Sequence, residues 1–580
     1  MKLPSKQSTT SATPSSLRRS TRVTKGLHDS RYVPEAFLTS VLDPRRTHNE
    51  SILAYSAELH SDQDTGNYLG SDPRAYAAKH KLNDPDNPSY NDALSGEHAH
   101  DYEQAMIKEI TQLVKQRCWG AIDPSKVPPA QDGSKRPVLK GTWAFKLKRS
   151  PDGSPLKFKA RYCVRGDLQR EGVDYFDTYA PVIQWSTVRL LLTMVLSKNW
   201  KTKQVDYTNA FAQARLKEEV YIESPRGFGR KDKKDMVLKL INSLYGLKQA
   251  PKTFFEKLCD GLLERGFTQS ILDPCLFMKA NVICVVYVDD TIIAGPDSHE
   301  IEKLISSLGV AQDEQRHSFE LHDEGEVGDF LGIRIEKKCN NSFKLSQSGL
   351  IDKVISESNM DSSNTAVTPA TTTPLHIDPE GEHFSESWEY ASILGMLMFL
   401  STNSRPDIAY AVNQCARFTH CPQASHAVAI KRIIRYLKGT RDQGMILSPS
   451  STLNVDCYVD ADFAGLWKSE DPHDPISVKS RSGHLITFMG CPLLWSSKLQ
   501  TQIALSIMEA EYIALSQAMR DLIGVREILK EIALNVLVPG SSSVASFRTI
   551  SKTFNKVSQS IVLEDNEACL KFARMPKMTP

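Results

Sequence analysis

Residues 284–295 read CVVYVDDTIIAG: two apolar, β-branched-rich runs flank the adjacent carboxylates Asp289 and Asp290. Such runs seek burial as central strands, whereas an unpaired anion left between them is costly. The pattern predicts a β-hairpin whose tight turn carries the acids to where positive charge or water can meet at least one of them. A further acid, Asp206, ends the strand-like part of KTKQVDYTNAF (201–211). Three carboxylates converging at strand ends form a hard-oxygen set suited to Mg²⁺. Two such ions can activate a hydroxyl and stabilise a leaving pyrophosphate. An Asp-Asp turn is also an ordinary solvated turn, and on these residues alone both readings stand.

At 580 residues the chain is long enough for several cores, and 40% hydrophobic with 24% charged residues excludes a largely disordered protein. Its eleven cysteines show no CxxC pair, which predicts free thiols in a reducing compartment. Cys415, His420, Cys421 and His426 form the one Cys/His cluster, and their spacing fits no common zinc pattern. No apolar run approaches the length of a membrane helix, so the chain reads as soluble or peripheral. Net charge is only +2, yet eleven Lys and Arg fall between Lys135 and Arg170 against Asp152 and Asp167. That local excess suits a polyanionic partner or, more plainly, a solvated charged face.

Residues 1–85 read as a disordered basic arm and linker, with LRRSTRVTKG in an acid-free start. A folded unit begins with the helical spacing of Met106, Ile110, Leu113 and Val114. GTWAFKLKRSPDGSPLKFKARYCVRG (141–166) alternates apolar and basic residues around Pro-Asp-Gly-Ser, predicting a hairpin with one charged face. STVRLLLTMVLSKNW predicts a helix capped by Ser186, MVLKLI a strand, and Pro251 to Arg265 a helix. LGIRIEKKCNNSFKLS predicts a second hairpin turning at Asn340 and Asn341. Residues 361–384 are Ser/Thr/Pro-rich and read as a linker, 385–450 hold three helical segments, and 451–580 run three strands, helix, strand. The mixed order predicts an α+β fold with an antiparallel sheet.

Taken together, KFKARYCVRGDLQREGVDYFDTYAPV, QVDYTNAFAQARLKEEVYIESPRGF, INSLYGLKQAPKTFFEKL and VVYVDDTIIAG resemble, in order, the reverse transcriptase motifs of copia-type long-terminal-repeat retrotransposons. GDFLGIRIEK, YASILGMLMFLSTNSRPDIAYAV and AIKRIIRYLKGT extend the resemblance, which covers roughly Pro88 to the C-terminus. It implies a right-hand polymerase with fingers and an antiparallel palm sheet over 86–360, a helical thumb or connection over 385–450, and an incomplete ribonuclease H-like α/β unit over 451–580. Asp206, Asp289 and Asp290 become the palm triad for two Mg²⁺ ions, with Mn²⁺ a substitute. Lys159 and Arg161 match the residues that hold the incoming triphosphate, which requires cations closing over phosphate oxygens. Phe211 matches an aromatic gate against a ribose 2′-hydroxyl, and Tyr245 and Gly246 the segment beneath the nascent pair. A charged hairpin face and a core phenylalanine are the plainer readings of Lys159/Arg161 and Phe211. NAFAQARL departs from the family pattern by placing Arg215 where an acid is common.

YVDADFAG, SIMEAEYIAL and VLEDNEA resemble the family's ribonuclease H domain, implying Asp460, Glu509 and Asp565 as metal-binding acids. Glu509 also completes a capping box with Ser506. The family continues beyond ARMPKMTP into a segment with a further acid and histidines, and 538–558 reads as an added stretch, so impaired ribonuclease H activity is expected. The implied partners are RNA template, DNA primer, RNA/DNA hybrid, deoxynucleoside triphosphates and the integrase and capsid parts of the same element, with no membrane. The implied location is the cytoplasm, a virus-like particle or the nucleus, without secretion. The competing reading is an inactive retroelement remnant that binds nucleic acid.

Overall fold

The computed structural model describes residues 86–575, except 131, 150–154, 229–235, 310–316, 468–474 and 538–558. The basic arm, the Pro-Asp-Gly-Ser turn and the added stretch lie outside the described residues. The chain enters through α1 (Tyr90–Ser95) and α2 (Ala99–Lys115). Tyr102, Met106, Glu109 and Leu113 form the buried stripe of α2, at helical spacing. Val114, expected on that face, is exposed.

After β1 (Trp119–Ile122) and β2 (Val138–Leu139) comes the expected hairpin, β3 (Gly141–Arg149) and β4 (Pro155–Val164). Its register runs from Gly141 opposite Val164 to Arg149 opposite Pro155. Trp143, Phe145, Leu147, Ala160, Tyr162 and Val164 point into the core, as period-two alternation requires. Helix α3 (Trp185–Lys198) is buried along most of its length. Ser186 is not its cap: it already lies inside the helix, which begins after Gln184. Asp273, distant in sequence, does part of that work, accepting the Gln184 amide at 3.3 Å and the Thr187 hydroxyl at 2.6 Å.

The chain then supplies β5 (Lys201–Tyr207), β6 (Tyr221–Glu223), β7 (Val237–Leu240), α4 (Ala250–Leu263), β8 (Thr268–Gln269), β9 (Leu276–Lys279), β10 (Val282–Tyr287), β11 (Asp290–Gly295), α5 (Ser298–Gly309) and β12 (Leu321–Gly325). Six of these make the central sheet, in the order β12-β5-β11-β10-β9-β8, antiparallel at every pair. Val205, Tyr207, Val286 and Ile293 from one of its faces share a core with Phe254, Leu258 and Ile301 from α4 and α5. Asp206 lies on the opposite face, where Gln204 and Ile292 are buried while Asp206 and Asp290 stay partly exposed. β1, β7, β6 and β2 form a separate small sheet.

The strands β13 (Asp329–Phe330), β14 (Ile333–Lys338) and β15 (Ser342–Ser346) form the second expected hairpin, with Asn341 at φ +54° in the β14–β15 turn. α6 (Ser348–Glu357), α7 (Tyr390–Asn403), α8 (Ala409–Ala416) and α9 (Ala424–Gly439) share one core, and β16 (Met445–Leu447) returns to pair with β15. Residues 361–384 are strapped to this bundle. Arg435 donates to the Asn364 carbonyl, Arg432 to the Thr368 hydroxyl, Arg417 to the Leu375 carbonyl, and Lys438 to the Ser363 carbonyl. The basic run of α9 therefore holds its own chain. His426 caps α9, accepting the Gln423 amide at 2.9 Å, and stacks on Phe418 at 3.9 Å, which leaves it in a structural role.

The last unit contains β17 (Asn454–Ala461), β18 (Arg481–Phe488), β19 (Cys491–Leu499), α10 (Ile507–Ile532), β20 (Gln559–Leu563) and α11 (Glu567–Ala573). Its sheet order is β19-β18-β17-β20, with β20 parallel to β17.

Candidate functional site

The β10–β11 turn consists of Val288 and Asp289, since Tyr287 pairs with Asp290 across the hairpin. Val288 takes φ +52°, an uncommon conformation for a β-branched residue and a mark of local strain. The adjacent acids thus differ in place: Asp289 is in the turn, and Asp290 begins β11. Asp290 stands directly opposite Asp206 on β5, and the Tyr207 amide donates to the Asp289 carbonyl at 3.3 Å. Directly opposed residues share a face of the sheet, and like charges so placed repel. Something positive has to offset them.

The β3–β4 hairpin brings that charge. Lys159 and Arg161 on β4 interact electrostatically with Asp206 and Asp289, respectively. Burial, with repulsion from Lys148, Arg161 and Lys157, pushes the Lys159 amine down to about 8, against the pull of Asp206. Burial also opposes the Arg161 charge, but the Tyr245 phenol, Asp289 and Glu109 outweigh it and raise its pKa. The Arg161 guanidinium lies over the Tyr245 ring, 4.7 Å from its centroid, and Phe211 meets the same ring edge-on at 4.8 Å. Phe211 is half-buried and touches two hydrophobic cores, so it joins two parts of the fold while keeping an accessible side.

Gly246 explains how this stack is held. Its φ is +90°, and a Cβ there would lie 2.1 Å from the Val164 carbonyl oxygen. The Val164 amide also donates to the Tyr245 carbonyl at 2.7 Å. The end of β4 and the Tyr245–Gly246 segment are therefore in backbone-to-backbone contact, which only glycine permits at this point.

Several buried polar residues that sequence reasoning missed lock this contact. Gln169 donates to Gln249 at 3.0 Å and accepts the Lys248 amide at 2.8 Å, while Gln249 donates to the Asp174 carbonyl at 2.9 Å. Glu109 on α2 accepts from the Tyr162 amide and from Asn209, and burial raises its pKa. Its place in the α2 stripe, in line with Met106 and Leu113, was the available signal.

The C-terminal unit gathers a tighter set of acids. Among the described residues, Asp460, Glu511 and Asp565 are the one trio whose carboxylate oxygens all lie within 4.8 Å of each other. Asp206, Asp289 and Asp290 are spread more widely. Burial and the neighbouring Glu564, Asp460 and Asp565 push the Glu511 carboxyl up to about 7, as expected for crowded anions. The structure keeps Glu509 out of this trio. Its amide donates to the Ser506 hydroxyl at 3.2 Å and its carboxylate accepts the Leu505 amide at 2.8 Å, so it serves the start of α10. The buried stripe of α10 passes through Glu511, Ala514, Leu515, Ala518 and Leu522, and that periodicity was the missed signal.

Known proteins resemble this chain in sequence. Residues 130–372 match the family model described as "Reverse transcriptase (RNA-dependent DNA polymerase)". The chain is 34% identical over 442 residues to the "Retrovirus-related Pol polyprotein from transposon RE1" of Arabidopsis thaliana, covering 76% of this chain and 28% of that protein. It is 33% identical to the corresponding polyprotein from transposon TNT 1-94 of Nicotiana tabacum, covering 77% of this chain and 33% of that one. The chain belongs to the copia-type retrotransposon reverse transcriptases. A Saccharomyces cerevisiae relative, "Putative transposon Ty5-1 protein", is matched over its whole length at 29% identity, covering 55% of this chain. The chain spans less than a third of the Arabidopsis polyprotein.

Within this reverse transcriptase the matched residues include Lys159, Arg161, Asp206, Phe211, Tyr245, Gly246, Asp289 and Asp290, while Asp460, Glu511 and Asp565 lie beyond the match. Reverse transcriptases of this family use divalent metal ions. Among the described residues no helix is long and apolar enough to cross a membrane.

Proposed function

We propose that the chain is an RNA-directed DNA polymerase that transfers deoxynucleotides to a primer 3′-hydroxyl. The observation carrying this reading is the register of Asp206 against Asp290, with Asp289 in the adjoining turn and two cations of β4 directed to the same acids. The donor set is all oxygen, which fits Mg²⁺. Asp206 and Asp289 would hold the ions, with Asp290 the more dispensable ligand. Bound Mg²⁺ supplies Lewis acidity at the reacting hydroxyl and phosphate.

The chain's own residues do the rest. Arg161, held over the Tyr245 ring, offers a planar fork to phosphate oxygens, and Lys159 adds a point charge that phosphate would keep protonated. Phe211 stands beside Tyr245, where a ring would exclude a 2′-hydroxyl. Gly246 lets the backbone beneath the nascent pair approach closely. Template and hybrid contacts through the basic β3–β4 hairpin imply affinity that falls steeply with salt. The integrase and capsid parts of a longer polyprotein, and a virus-like particle as the site of action, belong to the same proposal.

The test is Mg²⁺-dependent incorporation of deoxynucleotides on an RNA template by the full chain. Incorporation is expected for the wild type and lost in Asp289→Asn; incorporation that survives that change overturns the metal assignment. Hybrid binding without turnover in the wild type would favour the non-catalytic remnant instead. A second reading applies to the C-terminal unit, where the Asp460, Glu511 and Asp565 trio supports RNA cleavage in a hybrid.

A further inference from the structure

We infer that His322 is a primer-binding residue that donates a hydrogen bond to the phosphodiester at the primer terminus. The inference rests on the polymerase reading above and adds a contact to it. In the β12–β5 ladder His322 stands directly opposite Asp206, and on the other side of β5 Asp290 does the same. His322, Asp206 and Asp290 therefore form one row across three strands, on the face turned away from the Val205 and Tyr207 core. Strand spacing places the imidazole's strand about 5 Å from that of Asp206.

The two sides of the row differ. The β4 cations Lys159 and Arg161 act on Asp206 and Asp289, and the polymerase reading puts the triphosphate with them. In-line transfer requires the primer hydroxyl to approach from the other side. β12 closes the row beside Asp206 with an exposed imidazole that makes no hydrogen bond to a described residue. An imidazole N–H is suited to a phosphate oxygen.

The strand around His322 is fixed. Gln204 donates to Glu324 at 2.8 Å and to the Asp329 carbonyl at 3.0 Å, and Gln213 donates to the Glu320 carbonyl at 2.8 Å and accepts the Glu320 amide at 2.8 Å. The flanking acids are also engaged, Glu320 by Gln112 and Lys115 and Glu324 by Gln204. His322 is thus a donor on a fixed strand beside Asp206, and its next-but-one neighbours Glu320 and Glu324 are each held in hydrogen bonds of their own.

A binding cycle tests this with the full chain, primer–template and Mg²⁺, before any nucleotide is added. Replacing the terminal primer phosphodiester with a neutral methylphosphonate should weaken wild-type binding about fivefold to twentyfold, as expected for one charge-assisted hydrogen bond. His322→Ala should show the same weakening with the natural primer and no further loss with the modified one. His322→Gln, which keeps a donor, should recover most of the affinity. In steady state the primer KM should rise by the same factor and the nucleotide KM should stay unchanged. A wild type indifferent to the methylphosphonate, or a penalty retained in full by His322→Ala, overturns the contact. Failure of the polymerase reading would show separately, as wild-type chain that binds primer–template but incorporates nothing.

Discussion

Glu509 meets the first turn of α10 through the Ser506 hydroxyl and the Leu505 amide, whereas Glu511, on the buried stripe of the same helix, faces Asp460 and Asp565. The two acids should therefore separate cleanly by mutation. Glu511→Gln is expected to abolish Mg²⁺-dependent RNA cleavage in a hybrid assay. Glu509→Ala should leave cleavage intact and cost about 0.5–1 kcal/mol in a thermal melt, the worth of a helix cap. Lys159 supplies a pH test. Because burial and neighbouring cations lower its pKa to about 8, its charge is present below that pH and lost above it. The nucleotide KM should rise above about pH 8. Lys159→Arg should flatten that rise, since guanidinium stays charged. CVVYVDDTIIAG and KTKQVDY put Asp206, Asp289 and Asp290 at strand ends, and the family resemblance marked them as a set, but which acid occupies the turn and which faces Asp206 depends on register, a pairing between distant strands.

The hairpin β3–β4 is useful only if its base stays against the Tyr245–Gly246 segment. Alternation in the sequence predicted the hairpin, because inward Trp143, Phe145 and Leu147 and outward Thr142 and Lys148 sit on opposite faces. It could not predict the partner of the hairpin's end. Gly246→Ala would force φ +90° on a residue with a Cβ and press that atom against Val164. Strain of about 1–3 kcal/mol is expected at minimum. Chemical denaturation should show that loss, and the nucleotide KM should rise as Lys159 and Arg161 move away from the acids. Ser186 illustrates the same limit at the start of α3. Ser186 is a good cap by type, but the helix starts two residues earlier, after Gln184, and uses Asp273, brought in by the β8–β9 loop.

At the scale of the molecule, Arg189 joins the central unit to the last one. It is buried on α3, donates to the Leu493 carbonyl at 2.7 Å and to the Thr402 and Asn403 carbonyls at 3.2 and 3.1 Å, and lies 4.4 Å from the Trp495 ring centroid. Burial without an acid partner lowers its pKa to about 9. Glu531, near the end of α10, adds a second tie by accepting from the Ser270 hydroxyl and the Ile271 amide. Arg189→Ala would orphan three acceptors, at about 1–3 kcal/mol each before any water enters. Hydrogen exchange should accelerate around residues 402–403 and 493–495, with polymerase activity less affected than hybrid cleavage. Unchanged exchange at both places would dismiss Arg189 as a joint.

Local pattern alone was enough to determine the order of most helices and strands, the alternating face of the β3–β4 hairpin, the placing of Asp289 and Asp290 at a hairpin turn, and the three-strand, helix, strand run at the end. Those depend on periodicity and short-range turn chemistry, which neighbours in the chain encode. Tertiary structure decided the rest: Asp206 opposite Asp290, Glu511 rather than Glu509 beside Asp460, residues 361–384 strapped to α9, and His322 beside Asp206. Each of these is a meeting of residues far apart in sequence, set by strand register and by which buried groups can satisfy one another, and a single chain carries no local mark of such a choice.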